Sequence, residues 1–165
     1  LRACVDGDKW QWDGVQFEML HPDKAADNAD EKHRNDLSCV LRVSIGSQHI
    51  LLTGDIETTS EQRLLKNHAE QLAATLLVVP HHGSKTSSTP EFVAAVLPDY
   101  AVFTVGYRNR YGHPKEEVLQ GYLDSGANVL RSDKDGAILV EMDARNLSIE
   151  RYRHTQQRYW THQVP

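Results

Sequence analysis

Apolar and polar positions alternate at Val15, Phe17 and Met19 and again from Leu37 to Ile45, the period of two expected of strands with one buried face. Asp6-Gly7-Asp8 and Trp12-Asp13-Gly14-Val15 read as turns, so the first twenty residues predict a hairpin. Gly46-Ser47 closes a second hairpin, whose return strand runs from His49 to Thr53 and ends at Gly54-Asp55. Between the hairpins, His21 to Asp36 is polar and acidic, with Asp23, Asp27, Asp30 and Glu31, and reads as a long loop.

The period then lengthens. Thr59 or Ser60 caps a helix reaching about Leu72, with Leu64, Leu65 and Leu72 inward and Glu61 and Glu70 on the polar side. Leu76 to Val79 predicts a short buried strand, and Pro90 opens a helix over Glu91 to Val96 that Pro98 ends. Tyr100 to Val105 is a strand, Pro114 opens a helix to about Leu123, and Asn128 to Leu130 is another strand. Gly136 to Met142 and Leu147 to Tyr152 form a closing hairpin, Asp133-Lys134-Asp135-Gly136 reads as a turn, and 153–165 reads as a frayed tail. Strands alternating with helices predict an α/β layer. Ligands of such layers lie beyond the carboxyl ends of the strands.

A chain of 165 residues without internal repeat or linker fits a single unit over 1–165. The net charge of −5 excludes recognition of nucleic acid by bulk charge but leaves local basic patches. Two such patches are Arg108, Arg110 and Lys115, and then Arg145, Arg151, Arg153 and Arg158. The longest apolar run, Leu72 to Val79, is far short of the ~20 residues that cross a bilayer, and no signal peptide opens the chain. Cys4 and Cys39 match no zinc spacing, and Cys39 sits within an apolar alternation, so buried thiols are expected, with a disulfide as the alternative.

The candidate chemistry gathers at strand exits. Asp55 follows Thr53-Gly54, where a carboxylate can bridge two cations or cap the next helix. His81 and His82 follow Val79-Pro80; on extended backbone they point to opposite sides, so only one of them meets Asp55. Ser84, Lys85, Thr86, Ser87 and Ser88 offer donors that suit a phosphate. The segment Gly106 to Pro114 places His113, Asn109, Arg108, Arg110, Tyr107 and Tyr111 just before a helix start. His21, His33, His49, His68, His154 and His162 show no ligand spacing.

Leu51-Leu52-Thr53-Gly54-Asp55-Ile56-Glu57, Pro80-His81-His82-Gly83-Ser84-Lys85-Thr86-Ser87, Val105-Gly106 with Asn109 and Tyr111-Gly112-His113-Pro114, and Asp135-Gly136-Ala137 occur in that order. Together with Asn35-Asp36-Leu37-Ser38 and Phe17 to Pro22, they resemble the metallo-β-lactamase-like domain of ComEC-type proteins, inner-membrane channels for DNA uptake in natural transformation. The resemblance covers about residues 10 to 142. It implies an α/β fold, half of an αββα sandwich with a mixed sheet and helices on one face. It also implies divalent metal, zinc or manganese, and a phosphodiesterase or nuclease acting on incoming DNA. By position, Asp55 and His81 correspond to metal ligands, and His82 and His113 to proton-transfer groups. Asn35, Ser38, Ser84, Lys85, Ser87, Asn109 and Tyr111 correspond to the substrate pocket.

The HxHxDH signature of that fold is missing from this sequence, and the chain opens on Leu1. The resemblance therefore implies the C-terminal half of the domain, with weak or no metal and no turnover by itself. Its partners would be DNA and the remainder of the same polypeptide, meaning the upstream half-domain and the membrane channel. An open sheet face would also favour self-association. The alternative is a metal-free DNA-binding or scaffold domain of the uptake machinery, dependent on Arg108, Arg110 and Lys85.

Overall fold

A computed structural model describes residues 3–23 and 31–156. The strands Lys9–Trp12 (β1), Val15–His21 (β2), Val40–Ile45 (β3) and Gln48–Leu52 (β4) form an antiparallel meander. Leu76–Val78 (β5), Tyr100–Phe103 (β6) and Asn128–Arg131 (β7) then extend the same sheet in parallel, giving seven strands in sequence order. The helices Thr58–His68 (α1), Pro90–Val96 (α2) and Glu116–Asp124 (α3) are the crossovers that parallel pairing requires. The expected mixed sheet with helices on one face is what forms.

Register explains which face the helices cover. Leu51, Leu77 and Ala101 point to one side and pack with Leu64 of α1, Phe92 and Val96 of α2, and Val118 and Tyr122 of α3. Leu76, Val102 and Leu130 point to the other side, against a two-stranded hairpin of Ile138–Met142 (β8) and Leu147–Arg151 (β9). That hairpin leaves part of its face open, since Trp10, Trp12 and Leu52 remain exposed.

Several expectations need correction. Glu61 lies on the buried side of α1, because the start of α2 packs over it and supplies backbone donors. Residues 133–136 are not a loose turn. Ser132–Asp135 forms a one-turn helix (α4), and the Asp135 carboxylate accepts from the Arg131 amide at 2.8 Å. The strand expected from Leu37 begins at Val40, since Glu31–Leu37 forms a 3-10 turn. Cys39 therefore precedes the strand and is exposed, and the meander returns it to Cys4, with which it forms a disulfide at a Cα separation of 6.0 Å. Tyr152–Thr155 forms a further helical turn (α5) within the expected tail. Asp27, Asp30, Arg158, His162 and the tail from 157 lie outside the described residues.

Candidate active site

β4, β5 and β6 end side by side, and each exit supplies one part of the site. After β4, Thr53 donates its hydroxyl to the Val78 carbonyl at 2.7 Å, locking the two exits together. Gly54 follows at φ +56, and a Cβ there would lie 3.0 Å from that of Ser38, so the turn from Asn35 to Ser38 seats directly on it. Asp55 emerges half-exposed beyond that contact.

After β5 the chain folds into a tight 3-10 turn, Pro80–Gly83, with His81 at φ 47 and His82 at φ 56. Left-handed backbone at two successive histidines is costly, and costly geometry persists where surrounding contacts fix it. Here the His81 amide donates to the Gly54 carbonyl at 3.0 Å, and the Lys115 amide to the Gly83 carbonyl at 2.9 Å. The extended backbone expected at this pair does not occur, and the turn sends the two rings to different carboxylates.

His82 meets Asp55, with Nε2 3.4 Å from Oδ1. Its Nδ1 lies 2.8 Å from the Thr104 carbonyl oxygen at the exit of β6. A carbonyl only accepts, so the proton belongs on Nδ1. In the neutral ring, Nε2 then turns a lone pair toward a carboxylate. Two acceptors at that distance need a proton or a metal cation between them.

His81, expected beside Asp55, turns instead to Glu57. Its Nδ1 lies 3.1 Å from Glu57 Oε1 and 3.1 Å from Thr86 Oγ1. The same carboxylate oxygen accepts from Asn35 Nδ2 at 3.2 Å and from the Thr86 hydroxyl at 3.0 Å. The sequence assigns no role to Glu57 or Thr104, and offers Thr86 only as a phosphate donor. Glu57 carries the only available signal, being two residues beyond Asp55 on the same turn.

His113 completes the cluster, its ring centroid 6.1 Å from that of His81. Asn109 holds it from both sides, accepting from the His113 amide at 2.9 Å and donating to its carbonyl at 2.7 Å. The His113 pKa is lowered, first by desolvation and then by Lys115, His81 and His82, so the ring is neutral at neutral pH. An NMR titration of His113 is expected to show a midpoint below its ordinary value of 6.5. Lys115→Gln should move it upward, and a midpoint above the ordinary value would contradict this geometry.

The other expected pocket residues separate. Ser84 and Ser87 are buried. The Ser87 hydroxyl is engaged by the Pro80 and Ser84 carbonyls, and that of Ser84 by Thr86, so both hold the loop. Lys85 is exposed and pairs with Glu117 at 2.9 Å. Asn109 and Asn35 orient their neighbours, and Tyr111 is exposed at the rim.

No family model matches the chain. It is 41% identical over 152 residues to competence protein ComA of Neisseria gonorrhoeae, covering 92% of this chain and 21% of that protein. It is 37% identical over 132 residues to ComE operon protein 3 of Bacillus subtilis, covering 80% of this chain and 16% of that protein. The chain thus spans about a fifth of the length of the curated relatives it matches. A Parabacteroides distasonis chain provisionally described as a metal-dependent hydrolase superposes with a TM-score of 0.51 at 14% identity, over 78% of this chain and 56% of that one. This shared architecture is evidence of fold alone. Most of the chain is homologous to one segment of competence proteins, as its motifs implied.

Proposed function

We propose that this homologue of a competence-protein segment serves DNA uptake, and that its imidazole cluster is part of a metal-dependent phosphodiesterase acting on DNA. The observation that carries the reading is Nε2 of His82 facing the Asp55 carboxylate at 3.4 Å. The donor set fits a divalent cation of the zinc or manganese kind, because a carboxylate oxygen and an imidazole nitrogen, both ligand types for such ions, face each other at 3.4 Å. Asp55 and His82 would hold it, and it would supply Lewis-acid charge at the phosphodiester and acidify a bound water.

Among the described residues, no group of three or more His, Cys, Asp or Glu converges on one point. Further donors would come from the rest of the longer polypeptide, and the open apolar face around Trp10 and Leu52 is surface that more protein could cover. No described helix is long and apolar enough to cross a membrane.

This chain's own groups divide the remaining work. Glu57 fixes the His81 ring through Nδ1, leaving Nε2 to contact the phosphate or deliver a proton to the leaving oxygen. His113, neutral at neutral pH, is suited to accept one. The left-handed turn holds the His81 and His82 rings in place before substrate arrives, which lowers the reorganisation that reaction would otherwise require.

Titration of the chain with manganese is expected to broaden the His82 imidazole resonances first, and Asp55→Asn to abolish that response. In the longer protein, Asp55→Asn and His82→Ala should each lower turnover of bis(p-nitrophenyl) phosphate at least about a hundredfold, since losing even an outer-shell partner costs up to that much. Cleavage that survives chelation would refute the reading. DNA binding that ignores chelators, without any turnover, would favour the metal-free scaffold instead.

A further inference from the structure

The loop from Gly106 to Gly112 presents two large aromatic rings to solvent, Tyr107 at 51% and Tyr111 at 60% exposure. Exposed aromatics on a mobile loop would mean little. This loop is pinned. Asn109 donates its side-chain amide to the Gly106 and His113 carbonyls, Lys115 donates to the Tyr111 carbonyl at 2.7 Å, and the Gly112 amide donates to the Asn109 carbonyl at 3.2 Å. The backbone is ordered beforehand, so a ligand that meets the rings pays little for ordering them.

Each ring carries an arginine. The Arg108 guanidinium carbon is 5.2 Å from the Tyr107 centroid, and that of Arg110 is 4.9 Å from the Tyr111 centroid. The Tyr111 ring lies nearly parallel to His113, at 14° and 6.0 Å between centroids. His113 in turn neighbours His81. Planar groups therefore run from Tyr111 through His113 to His81. The chain as a whole is acidic at −5, so a polyanion is drawn to local cationic patches, of which this aromatic rim is one.

We propose that this loop is a base-stacking platform for an unpaired nucleic-acid strand, Tyr107 and Tyr111 each receiving a base while Arg108 and Arg110 turn from the rings to the adjoining phosphates. The proposal rests on the phosphodiester reading and adds strand preference to it. In a duplex, base faces are already stacked on one another and cannot meet a tyrosine, whereas an open strand offers them freely. The arginines make the platform selective for a polyanion, and its inner end at His113 sets the bound strand beside the reacting groups.

Anisotropy of a labelled thymidine oligomer of about 12 nucleotides, compared with a duplex of equal length and measured in chelator, tests this. The single strand should bind more tightly than the duplex. Tyr107→Ala and Tyr111→Ala should each weaken it on the order of tenfold, about 1.4 kcal/mol. Tyr→Phe at either position should bind within about threefold of the parent, because stacking needs the ring and not the hydroxyl. Arg108→Gln and Arg110→Gln should flatten the salt dependence.

Equal affinity for the duplex, alanine variants that bind like the parent, or phenylalanine variants as weak as alanine would each overturn the platform. So would a failure to bind either nucleic acid, which would leave the rim to a protein partner. Because chelator is present, failure of the phosphodiesterase reading leaves this measurement untouched. Metal-dependent cleavage with tyrosine-insensitive binding overturns the platform alone.

Discussion

Alanine at position 83 is expected to lower stability by about 2–4 kcal/mol and to dismantle the site without altering one of its polar groups. Gly83 has φ +80, and a Cβ built on it would lie 2.7 Å from Phe103 Cε1 and 2.8 Å from Pro114 Cβ. Neither neighbour can retreat cheaply. Phe103 is fully buried and meets Tyr122 edge to face at 5.5 Å, while Pro114 follows His113 in the segment pinned by Asn109. Displacing Gly83 would also break its carbonyl's bond to the Lys115 amide and shift the turn that aims His81 and His82.

For a chain of this size the melting temperature should fall by roughly 5–15 °C. The same chemical change has the opposite sign elsewhere. Gly121 lies on the exposed side of α3 with nothing within 4 Å of its would-be Cβ, so Gly121→Ala should stabilise by about 0.5–1 kcal/mol. Thermal melts of the two variants decide the matter. If Gly83→Ala melted alongside the parent, the tight packing described here would be wrong.

Glu61→Ala is the second large effect, expected at about 3 kcal/mol. The Glu61 side chain is fully buried, with Oε1 accepting from the Ser88 amide and Oε2 from the Thr89 amide at 2.9 Å. Alanine would leave both donors unpaired at a point where Ser88 is held at φ 62 and Tyr122 donates to the Ser88 hydroxyl at 3.0 Å. The loop that begins at Ser84 and carries Thr86 to Glu57 and His81 is anchored through that point, so the damage should reach His81 as well.

The acidity of Glu61 adds a pH dependence of definite sign. Desolvation raises its pKa and outweighs the opposing hydrogen bonds from Thr89 and Ser88. The folded state therefore holds this proton more tightly than the unfolded chain does. The contribution is greatest below the ordinary carboxyl value of 4.5 and declines as pH rises through the raised folded value. Glu61→Gln removes the titration, so the stability difference between parent and variant, read by urea unfolding, should shrink as pH increases from about 4.5 to 8. A difference that widened over that range would have the wrong sign.

Local pattern carried the fold a long way. Alternation at Val15 to Met19 and Leu37 to Ile45, the four-residue apolar run before Pro80, and Pro90 at a helix start each state a short-range preference, and strands and helices form there, the second strand only from Val40. The same local logic placed Asp55 and the histidine pair at strand exits, because a buried strand must surface at its end. The motifs also foretold the competence-protein homology.

Which groups meet was decided by the assembled sheet. Two left-handed residues in the 80–83 turn give His82, not His81, to Asp55, and no pattern along the chain encodes that choice. Glu61 sits at a polar position of an isolated helix and becomes buried only once α2 docks over it. Cys4 and Cys39 pair because three antiparallel strands bring residues 35 positions apart into reach. Sequence by itself determined the elements and the chemistry available at their ends, since both depend on neighbours a few residues away. Tertiary structure alone decided the partners of each side chain, since hydrogen bonding and burial act across space and are set only when distant segments close on one another.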